Sequence, residues 1–231
     1  MGTIGEEAAV SLEKLYSDAV NAYIRFVQES QIGPVKDMFE KLGDYKDAAK
    51  YLEKCENFLK YNQGNTVTFG KYQDKDLVWK VILTDGNRRM LLAEKPVEHM
   101  YFYPEREEIT WSNCTLRRWL NKQFLEESFT LQERMMIILT PHQNNADPRW
   151  YGENGPDTRD KAFVFNLKEL DEYLPNKEDR AIGEWWWLRG HGSSNLNQHA
   201  VYDDGTVYTN GVSSNSEEVG VRPAMWIRLG K

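Results

Sequence analysis

Apolar positions in the first quarter of the chain recur at intervals of three and four, the period of a helix with one buried face. Leu12, Leu15, Tyr16, Ala19, Ala22, Tyr23, Phe26 and Val27 predict an amphipathic helix that stops near Gly33-Pro34. Val35, Met38, Phe39 and Leu42 predict a short second helix ending at Gly43, and Ala48, Ala49, Tyr51, Leu52, Cys55, Phe58 and Leu59 predict a third. At Asn62-Gln63-Gly64-Asn65 the helical period gives way to alternation. The chain therefore divides into a helical module, 1–63, and a larger part, 64–231.

The larger part opens as a meander. Thr66 to Phe69, Leu77 to Leu83 and Arg89 to Glu94 read as strands, with Asp85-Gly86-Asn87 as a hairpin turn. Two helices are expected next. Ser112 caps one whose apolar face is Leu116, Trp119, Leu120 and Phe124, and the capping box Thr130…Glu133 opens another running through Leu139. Pro141 to Asp160 is polar and reads as a surface loop interrupted by Trp150 and Tyr151. Ala162 to Phe165 reads as a buried strand, and Asn166 with Glu169 caps a helix to Leu174 before Pro175. From Trp185 the pattern is β: Trp185 to Leu188, Ala200 to Tyr202, Val207 to Thr209 and Val219 to Ile227, with Asp203-Asp204-Gly205 as a turn. The expected class is α+β.

Charge narrows the partners. The chain has 231 residues, enough to bury a core without disulfides or metal. With 29 Lys and Arg against 36 Asp and Glu, the net charge is -7, the wrong sign for nucleic acid or anionic lipid. No window approaches the roughly 20 apolar residues of a membrane span. Met1 to Val10 has neither the basic nor the apolar region of a secretory signal, so a cytoplasmic protein is expected. Its two cysteines, Cys55 and Cys114, are expected to be reduced thiols.

Candidate chemistry is sparse. His99, His142, His191 and His199 have no spacing that supplies three or four zinc ligands, and Asp203-Asp204-Gly205 fits a turn better than a calcium loop. Cys114 lies near a helix start, where its pKa could fall, although a small buried thiol is the commoner role. Gly190-His191-Gly192-Ser193-Ser194 could form an anion nest, but the Walker lysine is missing and no helix is expected next. No cofactor, no metal and no catalytic residue are therefore expected.

Composition changes sharply near the end of the chain. Trp185-Trp186-Trp187-Leu188-Arg189 and Val219 to Ile227 look like framework, each with one arginine, Arg189 or Arg222, able to pair with a carboxylate or bind backbone carbonyls. Between them lies a stretch dominated by Ser, Asn, Tyr, Gly, Asp and Thr. That mixture is typical of paratopes, where Tyr gives rigid contact area and Ser and Asn give adaptable hydrogen bonds. The candidate ligand-binding residues are Ser193, Ser194, Asn195, Asn197, Gln198, Tyr202, Asp203, Tyr208, Asn210, Ser213, Ser214 and Asn215. An ordinary set of exposed hairpins has the same composition.

These residues carry a resemblance. Trp186-Trp187-Leu188-Arg189 followed by Gly220-Val221-Arg222-Pro223-Ala224-Met225 resembles the carboxy-terminal signature of a bacterial domain family of unknown function, W-W-L-R then G-V-R-P-A-L. That family is related to the formylglycine-generating-enzyme branch of the C-type-lectin-like fold. Phe69-Gly70, Trp79 to Leu83 and Ile109 to Asn121 resemble its early strand and first helix, so the likeness spans about 66–229. It implies two helices on a twisted mixed sheet, with long loops presenting a ligand face. Variable proteins of diversity-generating retroelements are similar in placing hypervariable residues between a Trp-rich strand and a terminal G-x-R-P-A segment.

Several features depart from these families. The copper-holding cysteine pair of the formylglycine-generating enzymes has no counterpart after Cys114, and the Glu-Pro-Asn and Trp-Asn-Asp calcium motifs of sugar-binding lectins do not occur. The resemblance thus implies a non-enzymatic binder in a bacterium or its phage, with a virion-associated form open, and the spread of the Tyr-dotted polar stretch over several turns predicts a protein or cell-surface polymer as its partner. A structural domain without a variable face and a degenerate enzyme are the alternatives. In the helical module, Phe39 to Ala48 resembles the turn of a tetratricopeptide hairpin without the full repeat, and its exposed aromatics make a homo-oligomer conceivable.

Overall fold

The structure, a computed structural model, describes residues 4–25, 29–144 and 154–230. Phe26, Val27, Trp150 and Tyr151 lie outside them. In chain order the elements are α1 (Ile4–Arg25), α2 (Ile32–Leu42), α3 (Ala48–Lys60), β1 (Thr66–Tyr72), β2 (Lys75–Asp85), β3 (Arg88–Ala93) and β4 (Glu98–His99). There follow α4 (Thr115–Trp119), α5 (Leu125–Ser128), α6 (Leu131–Met136), β5 (Thr140–His142), β6 (Thr158–Asp160), α7 (Leu167–Tyr173) and α8 (Lys177–Arg180). The chain ends with β7 (Trp186–His191), β8 (Asn197–Val201), β9 (Val207–Ser213), β10 (Gly220–Val221) and β11 (Ala224–Arg228). The protein is α+β.

The three helices pack through aromatic rings. Phe39 stacks on Tyr51 at 5.0 Å between centroids, and Tyr23 meets Tyr51 edge-on at 5.2 Å. Ala48, fully buried, lets the start of α3 approach closely. Gly33 and Pro34 do not stop a helix. They lie in the first turn of α2, where a missing proline N–H costs no helical bond.

Two larger sheets and the small antiparallel pair β5–β6 make up the rest of the frame. The first has the order β1-β2-β3-β11 and is antiparallel throughout; the second has the order β4-β10-β7-β8-β9, with β10 parallel to β7 and the other pairs antiparallel. Val219 to Ile227, expected as one strand, is split between them. Pro223 lacks the N–H a continuous ladder needs, and the chain crosses there from β10 in one sheet to β11 in the other. Buried residues from the helices and both sheets form a single cluster. Arg89 joins the two parts of the chain: its Nε donates to the Tyr61 carbonyl at 2.6 Å, and its guanidinium lies 4.4 Å from the Phe58 ring centre.

The central helices differ from expectation at their ends. Cys114, not Ser112, caps α4, its sulfur accepting the Arg117 N–H at 3.3 Å; Ser112 sits in a preceding 3-10 turn. The helix opened by the Thr130–Glu133 capping box ends at Met136, short of Leu139. Ile137 bridges Ile227, and the Ile138 N–H donates to the Trp226 carbonyl at 2.8 Å, so pairing beside β11 outcompetes another helical turn. Ala162 to Phe165 is buried, but only Phe163 bridges a strand residue, Ala224. The Asn166–Glu169 capping box opens α7 as expected.

Candidate functional site

Trp185, Trp186 and Trp187 begin the site, and they do not share one role. Trp186 and Trp187 are fully buried, their indole N–H groups donating to the carbonyls of Arg180 at 3.2 Å and Met100 at 2.8 Å. Trp185, expected as framework with them, is 38% exposed. Its ring meets Tyr202 edge-on at 4.2 Å, and Tyr202 stacks on Tyr208 at 5.1 Å. Desolvation, then the neighbouring Tyr208 and Asp204, raises the Tyr202 phenol pKa. The three rings thus form a continuous half-exposed aromatic surface over the β8–β9 turn.

That turn is held from below. Asp204 accepts Lys177 Nζ at 2.6 Å and the Thr206 N–H at 2.8 Å, and these bonds bring its carboxyl pKa down to about 2. Gly205 has φ 84°, and a Cβ there would lie 2.1 Å from the Lys177 carbonyl. Only glycine fits this contact. The β7–β8 loop is equally tight: the Gly192 N–H donates to the Asn197 carbonyl at 2.7 Å and the Ser193 N–H to the Asn210 carbonyl at 2.9 Å.

Of the twelve residues expected to bind a ligand, Ser193, Asp203, Asn210 and Asn215 are exposed, and Ser194, Asn195, Asn197, Tyr202, Tyr208 and Ser213 are half-buried. Gln198 and Ser214 are buried and leave the candidate surface. The Gln198 amide donates to the Asn195 carbonyl at 3.1 Å, beside the register shift between β8 and β9, and the Ser214 carbonyl accepts the Tyr103 N–H at 2.9 Å. The structure gathers Tyr202 and Tyr208 around Trp185. Separately, it gathers Ser193, Asn197, Asn210 and Ser213 where the β7–β8 loop meets β9.

A hollow of about 320 Å³ adjoins the aromatic surface, lined by His99, Glu184, Trp185, Val212, Ser216, Glu218 and Val219. His99 Nε2 lies 3.0 Å from Glu184. Sequence reasoning missed this group because β4, β9 and the turn before β7 bring together residues far apart in the chain.

Other candidate chemistry is built into the scaffold. Burial pushes Cys114 up to about 12, so its thiol is neutral at pH 7. In the Gly190-to-Ser194 loop, Gly190, His191 and Gly192 are buried, and the His191 N–H already donates to Asn154 Oδ1 at 2.9 Å. Among the described residues, no three His, Cys, Asp or Glu side chains are grouped to hold a metal. Among them, too, no helix is long and apolar enough to cross a membrane.

Residues 86–229 match the family described as Domain of unknown function (DUF6273). No curated protein and no solved structure matches the chain.

Proposed function

Taking as premise that the chain belongs to the family of the domain of unknown function DUF6273, we propose that it is a non-enzymatic binding protein whose β7–β9 face recognises a macromolecular target. One observation carries this reading: Trp185, Tyr202 and Tyr208 stand half-exposed and in mutual contact directly beside the buried Trp186 and Trp187. Large rings left partly in water and ordered by a sheet, with a second group of Ser and Asn where the β7–β8 loop meets β9, have the anatomy of a recognition surface. An open aromatic surface suits a protein or cell-surface polymer better than a small molecule enclosed by a pocket.

Within this reading the larger part has a C-type-lectin-like architecture, supported by a sheet that is mixed at β10. Kinship with retroelement variable proteins is its finer form. It requires a reverse transcriptase gene near the coding sequence and a near-copy of the 3′ end differing at adenines; a neighbourhood without both removes that form alone. The general reading is tested by screening the full-length protein against octapeptide and glycan arrays. Ligands that the wild type retains and Trp185→Ala loses, with melting unchanged, support it. Arrays without any retained ligand, or ligands indifferent to Trp185, Tyr202 and Tyr208, overturn it.

A further inference from the structure

We propose that the hollow beside Trp185 receives an arginine or lysine side chain from an extended polypeptide that adds to the sheet along β9. The inference rests on the binding reading above and specifies its partner. Trp185, Val212 and Val219 give the hollow apolar walls, while Glu184 and Glu218 place two carboxylates at it. A cation on an aliphatic stem matches both features: its methylenes cover the walls, and its charge meets the carboxylates and the indole ring. Glu184 already has His99 beside it, whereas Glu218 is exposed and forms no ion pair among the described residues.

The edge of the sheet argues for a polypeptide over a free amine. β9 is the terminal strand of its sheet, and one of its residues, Val212, lines the hollow. Its seven residues, Val207 to Ser213, contain no charge and no proline. Charge and proline are two of the devices that keep an open edge from pairing; a third, a bulge, does interrupt β9 between Tyr208 and Val212, where Gly211 has φ 85°. An extended peptide can use the edge through its backbone and place alternate side chains towards the hollow.

Charge selects the kind of peptide. Exposed acids stand at both ends of β9, Asp203 and the Lys177-paired Asp204 before it and Glu217 and Glu218 after it. A second copy paired antiparallel about Asn210 would set Asp203 of one chain against Glu217 of the other, so self-pairing is opposed. A basic segment meets attraction at the same places, reinforced by the net charge of -7.

The test screens full-length protein against a positional-scanning library of acetylated, amidated octapeptides, then measures affinities for the best binder. We expect Arg or Lys to be enriched at one fixed position. Replacing that residue by Gln, substituting Glu218→Gln in the protein, or N-methylating alternate backbone amides of the peptide should each weaken binding about tenfold or more. Glu218→Gln, on an exposed loop, should melt with the wild type. Binders without a basic residue, or insensitivity to Glu218→Gln, overturn the proposal. Spermidine binding as tightly as the peptide, together with indifference to N-methylation, also overturns it by identifying a polyamine site. Glycans retained in a Trp185-dependent way with no peptide bound would sink this inference and leave the binding reading standing; no ligand of either class would sink both.

Discussion

Arg189 and Arg222 are both buried arginines of the terminal framework, yet their surroundings give them opposite energetic roles. Arg189 donates from Nη1 and Nη2 to the two Glu169 oxygens at 2.5 Å each, and also to the Val164 carbonyl at 2.7 Å and Asn144 Oδ1 at 3.2 Å. Arg222 lies 4.9 Å over the Trp186 ring and donates from Nε to the Ala93 carbonyl at 2.9 Å, but its Nη1 is buried without a partner. Burial lowers its pKa to about 10. Arg189→Met should therefore cost about 3–5 kcal/mol by leaving Glu169 uncompensated. Arg222→Met keeps an apolar stem on Trp186 and should stay within about 1 kcal/mol of wild type, as urea unfolding would show. Glu169 adds a pH signature. Burial raises its pKa, but the His142 hydrogen bond and the charge and hydrogen bonds of Arg189 outweigh this and hold it at about 2, against an ordinary 4.5. Its stabilisation, ~3 kcal/mol, is complete above the unfolded value and lost as pH falls from 4.5 towards 2. Acid unfolding of Glu169→Gln should lack that component. The sequence marks both arginines and marks Glu169 as a helix cap; that the cap is also a counter-ion depends on β7 passing beside α7.

At the scale of elements, local chemistry is legible and tertiary competition is not. The capping boxes at Thr130–Glu133 and Asn166–Glu169, the Asp203-Asp204-Gly205 turn and the start of β1 near Gly64 are written in neighbouring residues. The early end of α6 and the transfer of the chain between sheets at Pro223 are decided by β11, whose position no local pattern reveals. The same limit applies to the candidate site: Tyr202 and Tyr208 were visible by composition, but the burial of Gln198 and Ser214 follows from the packing around β8 and β9. The β8–β9 turn yields a sharp expectation. Gly205→Ala must place a Cβ at positive φ against the Lys177 carbonyl. It should cost at least about 1 kcal/mol and disturb the Tyr202–Tyr208 stack, measurable by urea unfolding and near-ultraviolet dichroism.

The whole molecule shares one buried cluster, although the sequence pattern divides at Gly64. Gly64 and Asn65 are bonded to Val81 of β2, and Arg89 reaches back to Tyr61 and Phe58. All eight tryptophans follow residue 64, so fluorescence reports on the larger part while dichroism at 222 nm is weighted towards the helices. The two signals should melt together; separate midpoints would mean that the helical module unfolds independently. The central claim is that a rigid scaffold displays a recognition surface at β7 to β9, and it is tested most directly by measuring ligand affinity and stability on the same samples of Tyr208→Ala and Trp187→Ala. For Tyr208→Ala the expected result is lost affinity with stability within about 1 kcal/mol of wild type, and for Trp187→Ala a stability loss of about 3–5 kcal/mol. Retained affinity in Tyr208→Ala, or a Trp187→Ala protein as stable as the wild type, would contradict the account.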